Sequence, residues 1–338
     1  MTLVACIGGG QLGRMLGLAA HRLGVSMRFL DPSPEACAGA VGELVVGDYG
    51  DADALARLVA GATAVTYEFE NVSADAVARL GALPGAGALR EGQDRLREKE
   101  LFRRLGIRTA RFGSLEDTGL PALVKTRRLG YDGKGQRRLD VASLLTADEL
   151  AEELISFERE LSLVAVRGGD GETRFWPLTE NVHRDGILHS SRVPAAGAPQ
   201  ADAERIAMAL LDALDYVGVL AVELFERGGE LLANEFAPRV HNTGHWTIDG
   251  AVTSQFENHV RAVLGLPLGS TELVAPCTMM NLVGETPPLG ELLAIPGARV
   301  HLYGKTPRPG RKLGHVTLVD ADTEADHAVR QLVDAAWC

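Results

Sequence analysis

The chain has 338 residues, of which 34 are basic and 45 acidic, so its formal net charge is −11. This length predicts two or three domains, because it exceeds what one hydrophobic core usually serves. The acidic balance disfavours a nucleic-acid or membrane-surface binder, which needs a basic face, but it allows a local basic pocket for a small anion. No apolar run approaches the ~18–20 residues that span a bilayer.

The cysteines and the N-terminus point to a cytoplasmic protein. Cys6, Cys37, Cys277 and Cys338 lack metal-ligand or Cys-x-x-Cys spacing, and a chain of this size is not expected to depend on disulfides. The first ten residues carry no basic segment before their short apolar run, so they do not predict a signal peptide.

The N-terminal elements alternate between strands and helices. Strands are predicted over Thr2–Ile7, Ser26–Asp31, Leu44–Val46 and Ala62–Glu68, and helices over Gln11–Leu23 and from Asp51 to about Ala60. Alternation with such short connections predicts a parallel sheet with right-handed crossovers. A segment with the composition of a connector, Leu83–Ala88, follows.

The pattern changes after the connector to α+β with mainly antiparallel pairing. Helices are predicted over about 93–105, 147–154, 202–214, 254–264 and 324–336. Strands are predicted over 123–125, 136–139, 161–166, 174–178, 218–225 and 231–236, and short strands return after Pro276.

The first turn, Gly8 to Gly13, fits G-x-G-x-x-G between a strand and a helix, and Asp31 ends the next strand. This pattern is typical of dinucleotide binding, because glycines let the backbone approach a phosphate. Two alternatives stay open: a tight turn without a ligand, or amides that bind another polar substrate.

A second glycine-rich segment runs from Lys125 to Gln136, with glycines at 130, 133 and 135. Its amides could cradle phosphate oxygens, and Lys125 and Lys134 would supply positive charge. It is not a Walker A loop, since no Gly-Lys-Ser/Thr opens a helix here. The alternative is a solvated basic hairpin.

Two strands that meet at Gly228-Gly229 carry Glu223 and Glu235. A hairpin centred at Gly229 makes these residues a cross-strand pair with Cβ atoms ~4.5–5.5 Å apart. Facing carboxylates favour a cation between them, and Mg²⁺ shared with substrate phosphates is the natural candidate. The alternative leaves one glutamate exposed and pairs the other with Arg239.

Two further polar segments are candidates for binding. Arg239 to Trp246 is an irregular run directly after a strand, where binding groups often collect, although a histidine there is more often structural than catalytic. Tyr303 to His315 is rich in cations and braced by prolines, which suits a phosphate monoester or a solvated turn equally.

Together these segments resemble the ATP-grasp ligases, and among them the 5-(carboxyamino)imidazole ribonucleotide synthetases. The resemblance covers essentially the whole chain. It rests on the segments 9–16, 67–71, 125–136, 157–162, 177–186, 234–246 and 310–315.

The resemblance implies three domains: a Rossmann-like α/β domain over 1–90, a central α+β ATP-grasp domain over 91–270 and a small β-rich C-terminal domain over 271–338. It implies ATP as co-substrate with Mg²⁺, bicarbonate and 5-aminoimidazole ribonucleotide as partners, and a homodimer. Where many ATP-grasp enzymes carry Asn two residues after the second metal Glu, this chain has Ala237, as in the purine-carboxylating branch.

The resemblance also assigns roles to residues. Arg95 and Lys125 would contact the phosphates, and the loop of Gly130, Tyr131, Asp132, Gly133, Lys134, Gly135 and Gln136 would close over them. Asn234 and Glu235 are also assigned to ATP binding. The adenine would be read by Glu152, Glu153, Leu154 and Ile155, the ribose by Glu160, and His183 would lie near the nucleotide. The metal would be bound by Glu223 and Glu235. The ribonucleotide would contact Gln11, Leu12, Glu70, Lys305, Arg311 and Lys312. The reacting bicarbonate would be surrounded by Tyr131, Asp132, Lys134, Arg239 and His241.

The expected reaction is carboxylation of the ribonucleotide's 5-amino group through carboxyphosphate, in de novo purine synthesis. Asp132 or His241 could accept the amine proton. A formate-dependent glycinamide ribonucleotide transformylase shares the layout. An NAD-dependent oxidoreductase would explain the first glycine turn alone, and a non-catalytic ATP-binding regulator would not need the intact carboxylates.

Overall fold

The computed structural model describes residues 2–130, 133–141 and 143–338. Its N-terminal unit contains β1 (Leu3–Ile7), α1 (Gln11–Arg22), β2 (Ser26–Asp31), β3 (Glu43–Val46), α2 (Ala52–Val59), β4 (Ala64–Tyr67), α3 (Ala74–Leu80) and α4 (Ala86–Gly92). The strands form a parallel sheet in the order β3-β2-β1-β4. The predicted Rossmann-like α/β unit is therefore confirmed. The sequence did not predict α3, which Ser73 caps, or α4, which begins inside the supposed connector.

The next unit is a small antiparallel sheet with one long helix beside it. It comprises α5 (Arg95–Arg104), β5 (Phe112–Gly113), α6 (Leu115–Thr118), β6 (Ala122–Thr126), β7 (Gln136–Leu139) and β8 (Glu149–Glu153), with strand order β5-β8-β6-β7.

The helix predicted over residues 147–154 is wrong, because this segment contains strand β8. Its composition favours a helix. However, β8 lies between β5 and β6, where Leu150 and Ala151 are buried and Glu152 lies next to two lysines. Pairing with neighbouring strands has overridden local propensity.

The rest of the chain forms a large sheet together with the helices that connect its strands. Its elements are β9 (Arg159–Arg167), β10 (Thr173–Phe175), β11 (Thr179–Arg184), β12 (Ile187–Val193), α7 (Gln200–Ala213), β13 (Gly218–Arg227), β14 (Glu230–Ala237), α8 (Thr247–Gly250), α9 (Gln255–Val263), β15 (Cys277–Val283), α10 (Leu289–Ala294), β16 (Ala298–Leu302), β17 (Lys312–Val319) and α11 (Thr323–Ala336). The strand order is β14-β13-β9-β11-β12-β15-β17-β16, and β10 pairs with β9. The C-terminal strands thus extend the central sheet through the pairing of β15 with β12. Within the described residues, no helix is long and apolar enough to cross a membrane.

A buried histidine joins the N-terminal unit to the large sheet. Helix α1 packs on α9, and Leu16 and Val260 share one hydrophobic cluster. His259 of α9 accepts a hydrogen bond from the Val219 N–H through Nδ1 at 3.1 Å, and its Nε2 lies 2.8 Å from Thr66 Oγ1. Since Nδ1 accepts, the neutral ring donates through Nε2. Burial lowers the pKa of His259 to about 4.

This burial predicts acid sensitivity. Because the folded-state pKa lies below that of the unfolded chain, the unfolded state binds the proton first, so stability is full above pH ~6.5 and falls as the pH drops toward ~4. Between pH 7 and 5 the wild type should lose about 2 kcal/mol more unfolding free energy than His259→Gln. Urea denaturation at both pH values measures the difference. The exposed His21→Gln variant is the control, and an equal pH slope in wild type and His259→Gln would contradict the prediction.

Candidate active site

Hairpin β13–β14 places Glu223 directly opposite Glu235, as the sequence predicted. The register shifts immediately after Glu223, so a bulge follows the pair. The Glu235 Oε2 atom accepts a hydrogen bond from Arg95 Nη1 at 2.6 Å, and Glu223 Oε1 lies 3.6 Å from His241 Nε2. The alternative pairing with Arg239 is wrong, because Arg239 forms an ion pair with Glu70 at 3.0 Å.

The two facing carboxylates have opposite pKa shifts. Burial, followed by the charge of Glu235, raises the pKa of Glu223 to about 7. Burial also favours the neutral form of Glu235, but Arg95 and Lys125 outweigh it and lower the pKa to about 2. A cation between the two would relieve the repulsion that raises the pKa of Glu223.

The donor chemistry of this pair fits Mg²⁺, a hard ion that prefers carboxylate oxygens. In the part of the chain that the structure describes, no group of three or more His, Cys, Asp or Glu side chains is arranged to hold a metal. A Mg²⁺ ion at Glu223 and Glu235 would therefore need further oxygens from a bound ligand and water, which is its usual mode of binding.

Two buried lysines converge on one carboxylate oxygen beside this pair. Lys125 Nζ lies 3.0 Å from Glu152 Oε2, and Lys99 Nζ lies 3.3 Å from the same atom. Burial opposes ionisation of Glu152, but Lys99 and Lys125 outweigh it and lower its pKa to about 2. Lys125 also donates to Asn234 Oδ1 at 3.4 Å, so the predicted phosphate-binding lysine contacts the residue before Glu235.

The predicted adenine-reading segment begins with this same Glu152. Glu153 forms an ion pair with Arg111 at 2.9 Å, and Leu154 is 37% exposed just beyond β8. Because the Glu152 carboxylate is engaged by lysines, contact with a base would have to use the backbone of this segment or the side chains of Leu154 and Ile155.

Glu160 of β9 and His183 of β11 form a close pair. Glu160 Oε2 lies 2.5 Å from His183 Nδ1. Burial alone would lower the pKa of His183, but the hydrogen bond with Glu160 and the charges of Glu160 and Glu223 together outweigh burial and raise it. The sheet therefore presents a histidine ring held by a carboxylate, and the roles predicted for both residues stay predictions.

Residues 133–135 of the glycine-rich segment form a turn directly before β7. Gly133 and Gly135 have φ values of +74° and +75°, and the Thr126 N–H donates to the Gly135 carbonyl at 2.7 Å. A Cβ on Gly135 would lie 2.4 Å from Thr126 Oγ1, so a larger residue does not fit. Arg95 Nη2 donates to the Gly130 carbonyl at 3.4 Å. Lys134 lies in this turn, and Gln136 begins β7. The predicted site residues Tyr131 and Asp132 lie outside the described residues.

The residues predicted for the ribonucleotide come from both ends of the chain. Lys305 Nζ donates to Gln11 Oε1. Leu12 is buried in the first turn of α1, Arg311 Nη1 donates to the Thr306 carbonyl at 3.1 Å, and Lys312 begins β17. The structure thus brings Gln11 and Lys305 together.

Arg239 and His241 follow β14 and lie beside the carboxylate pair. The Nδ1 atom of His241 is 3.0 Å from Thr243 Oγ1. Burial, followed by the charge of Arg239, lowers the pKa of His241 to about 3, so the ring is neutral at physiological pH. A neutral imidazole retains a lone pair that can accept a proton.

One cleft contains many of these groups. It is lined by Glu70, Asn71, Gly92, Gln93, Arg95, Glu98, Arg127, Leu129, Gly130, Glu235, Phe236, Ala237, Arg239 and His241. The lining joins the N-terminal unit, the glycine-rich segment and strand β14.

The first glycine turn already has intramolecular partners. Glu68 accepts hydrogen bonds from the Gly10 and Gly13 N–H groups at 2.8 and 3.3 Å, and Asp31 Oδ2 accepts from the Gly9 N–H at 3.0 Å. The amides that would bind a pyrophosphate are therefore occupied by carboxylates. This geometry disfavours the dinucleotide-binding alternative.

The sequence pattern did not identify Glu98 and Lys99 of α5 as residues of the site. The Phe236 N–H donates to Glu98 Oε1 at 2.6 Å, and Lys99 Nζ donates to the Asn234 carbonyl at 2.6 Å. With Arg95, these residues follow the i, i+3, i+4 spacing of one helix face. That spacing was a signal available in the sequence.

Three family models match the chain in the order of its structural units. The ribonucleotide synthetase preATP-grasp domain matches residues 1–87, the ATP-grasp domain matches 103–256, and the phosphoribosylaminoimidazole carboxylase C-terminal domain matches 277–328.

Whole-chain relatives agree with these matches. An N5-carboxyaminoimidazole ribonucleotide synthase of Pseudomonas aeruginosa is 50% identical over 94% of this chain and 95% of its own length. The crystal structure of the synthetase from Thermus thermophilus is 52% identical, with a TM-score of 0.92 and 98% of each chain covered. The Aspergillus clavatus synthase, solved with ADP and 5-aminoimidazole ribonucleotide, is 30% identical with a TM-score of 0.88, covering 99% of this chain and 98% of that one. The chain therefore belongs to the N5-carboxyaminoimidazole ribonucleotide synthase family, a group of ATP-dependent ligases built on the ATP-grasp domain.

Proposed function

We propose that this protein uses ATP and bicarbonate to carboxylate the 5-amino group of 5-aminoimidazole ribonucleotide, releasing ADP and phosphate, as a step of purine biosynthesis. The observation that carries the proposal is the Glu223–Glu235 pair on β13–β14, with Lys125 beside it. This arrangement suits a metal-bound triphosphate. The same cleft reaches Glu70 of the N-terminal unit, where a second substrate could lie.

The nucleotide would lie between the small sheet and the large sheet. Arg95, Lys125 and the glycine-rich segment would contact its phosphates, residues 153–155 its adenine, and Glu160 and His183 its ribose side. Mg²⁺ held by Glu223 and Glu235 would offset charge on the transferring phosphoryl group. Arg95 already forms a 2.6 Å ion pair with Glu235, so the charges of these two side chains offset each other.

In the first step a bicarbonate oxygen attacks the γ-phosphorus, and the bond from that phosphorus to the β-γ bridging oxygen breaks. The products are ADP and carboxyphosphate. Catalysis of such a step consists mainly of positioning and electrostatic stabilisation, which Lys125 and Arg95 can provide. Carboxyphosphate is hydrolysed readily, so the segment from Gly130 to Gln136 would have to exclude water.

In the second step the 5-amino group attacks the carboxyl carbon, directly or after release of CO₂, and phosphate leaves. The amine loses one proton. The neutral ring of His241 can accept it, as can Asp132, which the sequence reading also proposes. Lys305, Arg311 and Lys312 would bind the 5′-phosphate, with Gln11 and Leu12 beside the ribonucleotide and Lys134 and Tyr131 near the bicarbonate. The homodimer and the cytoplasmic location predicted from the sequence also remain proposals.

The proposed reaction predicts which compounds stimulate ADP formation. ADP release should require both bicarbonate and 5-aminoimidazole ribonucleotide at saturation, and it should not respond to formate with glycinamide ribonucleotide. A coupled assay for ADP in bicarbonate-depleted buffer measures this. Formate-dependent ADP release would support the transformylase instead. Quenching of NADH fluorescence by the protein would support the oxidoreductase.

The carboxylate pair predicts a specific metal dependence. Glu223→Gln and Glu235→Gln should each lower kcat by about 100-fold and shift the Mg²⁺ concentration for half-maximal activity upward, because each removes one anionic ligand. A Mg²⁺ titration of ADP formation measures both effects. Glu230→Gln, at the exposed start of β14, is the matched control. An unchanged Mg²⁺ requirement in both variants would refute a metal site at this pair.

A further inference from the structure

Lys99 is a buried cation with no role in the reaction described above. Its side chain is 1% exposed, and its Nζ contacts Thr109 Oγ1 at 3.1 Å, the Asn234 carbonyl at 2.6 Å and Glu152 Oε2 at 3.3 Å. A buried ammonium is costly unless it is paired and hydrogen-bonded. Two of these partners, Asn234 of β14 and Glu152 of β8, belong to strands that would shape the nucleotide site.

The contact with Glu152 sets the charge balance around Lys125. Glu152 is 4% exposed and shares one oxygen between Lys99 and Lys125. With both lysines present, the group carries one net positive charge. Without Lys99, Glu152 would have Lys125 as its remaining lysine partner, and the two charges would cancel. Lys125 would then be held more tightly and would have less charge to offer a phosphate.

The contact with Asn234 fixes the strand that carries Glu235. Lys99 holds the carbonyl of the residue before Glu235, and Glu98 accepts the N–H of Phe236, the residue after it. Arg95, one turn earlier on α5, holds the Glu235 carboxylate itself. Three side chains on one face of α5 therefore form hydrogen bonds with three consecutive residues of β14.

We propose that Lys99 is a positioning residue of the nucleotide site, which keeps Lys125 available to phosphates by sharing Glu152 with it. The inference rests on the ATP site of the proposed function. It also gives Glu152 a role other than adenine recognition.

A double-mutant cycle on MgATP binding tests this proposal. Lys99→Met should raise the Kd for MgATP about tenfold, which corresponds to about 1.4 kcal/mol of stronger pairing between Glu152 and Lys125. Adding Glu152→Gln should restore the Kd to within about threefold of wild type, because Lys125 is released again. Isothermal titration calorimetry without ribonucleotide or bicarbonate measures every affinity. Arg104→Met, an exposed position on α5, is the matched control.

The outcomes separate the two proposals. An unchanged Kd in Lys99→Met, or a double variant that binds as weakly as Lys99→Met, would overturn the role of Lys99. If Lys99→Met fails to fold, the double variant decides alone, because it removes both buried charges together. A near-wild-type Kd then supports the proposal, and a tenfold loss overturns it. Failure of the wild type to bind MgATP would instead refute the ATP site. Binding without bicarbonate-dependent turnover would refute only the proposed reaction.

Discussion

The structure depends on two carboxylates that face each other across a hairpin. Glu223 and Glu235 would destabilise an isolated pair of strands, since like charges directly opposite repel. The surroundings shift the pKa values of the two carboxylates in opposite directions. Arg95 keeps Glu235 ionised, whereas the pKa of Glu223 rises to about 7. An ionised carboxylate that faces one whose pKa is raised by burial and by repulsion favours a cation, which would relieve that repulsion.

Helix α5 connects this pair to the rest of the proposed nucleotide site. Arg95 reaches the carboxylate of Glu235, Glu98 and Lys99 reach the backbone on either side of it, and Lys99 extends the contact to Glu152 of the small sheet. A shift of α5 would therefore move strand β14 and Lys125 together. One helix thus couples the two sheets that would enclose the nucleotide.

Local patterns predicted much of the fold and some of the site. The strand Ser26–Asp31 and the facing of Glu223 and Glu235 were predicted correctly, because periodicity and turn position determine both. The segment 147–154 was not, because its helical composition is overridden by pairing with β5 and β6. Lys99 was missed for a similar reason. Its spacing from Arg95 and Glu98 places it on one helix face, but its partner Glu152 is distant in sequence, and a charged helix alone does not show which of its faces is buried.

The first glycine turn also shows that a local sequence pattern does not determine what a backbone binds. Gly8 to Gly13 has the spacing and the strand–helix context of a dinucleotide site, and its amides do bind carboxylate oxygens, but those oxygens belong to Glu68 and Asp31. A Cβ on Gly8 would lie 2.7 Å from the Glu68 side chain, so that glycine is needed for an internal contact. The physical cause of the motif, close approach of an anion to a glycine backbone, is present. Only residues distant in the sequence determine whether that anion is a ligand or a side chain of the protein itself. Because Glu68 belongs to the segment that also supplies Glu70 to the cleft, the turn fixes the position of that segment rather than binding a nucleotide.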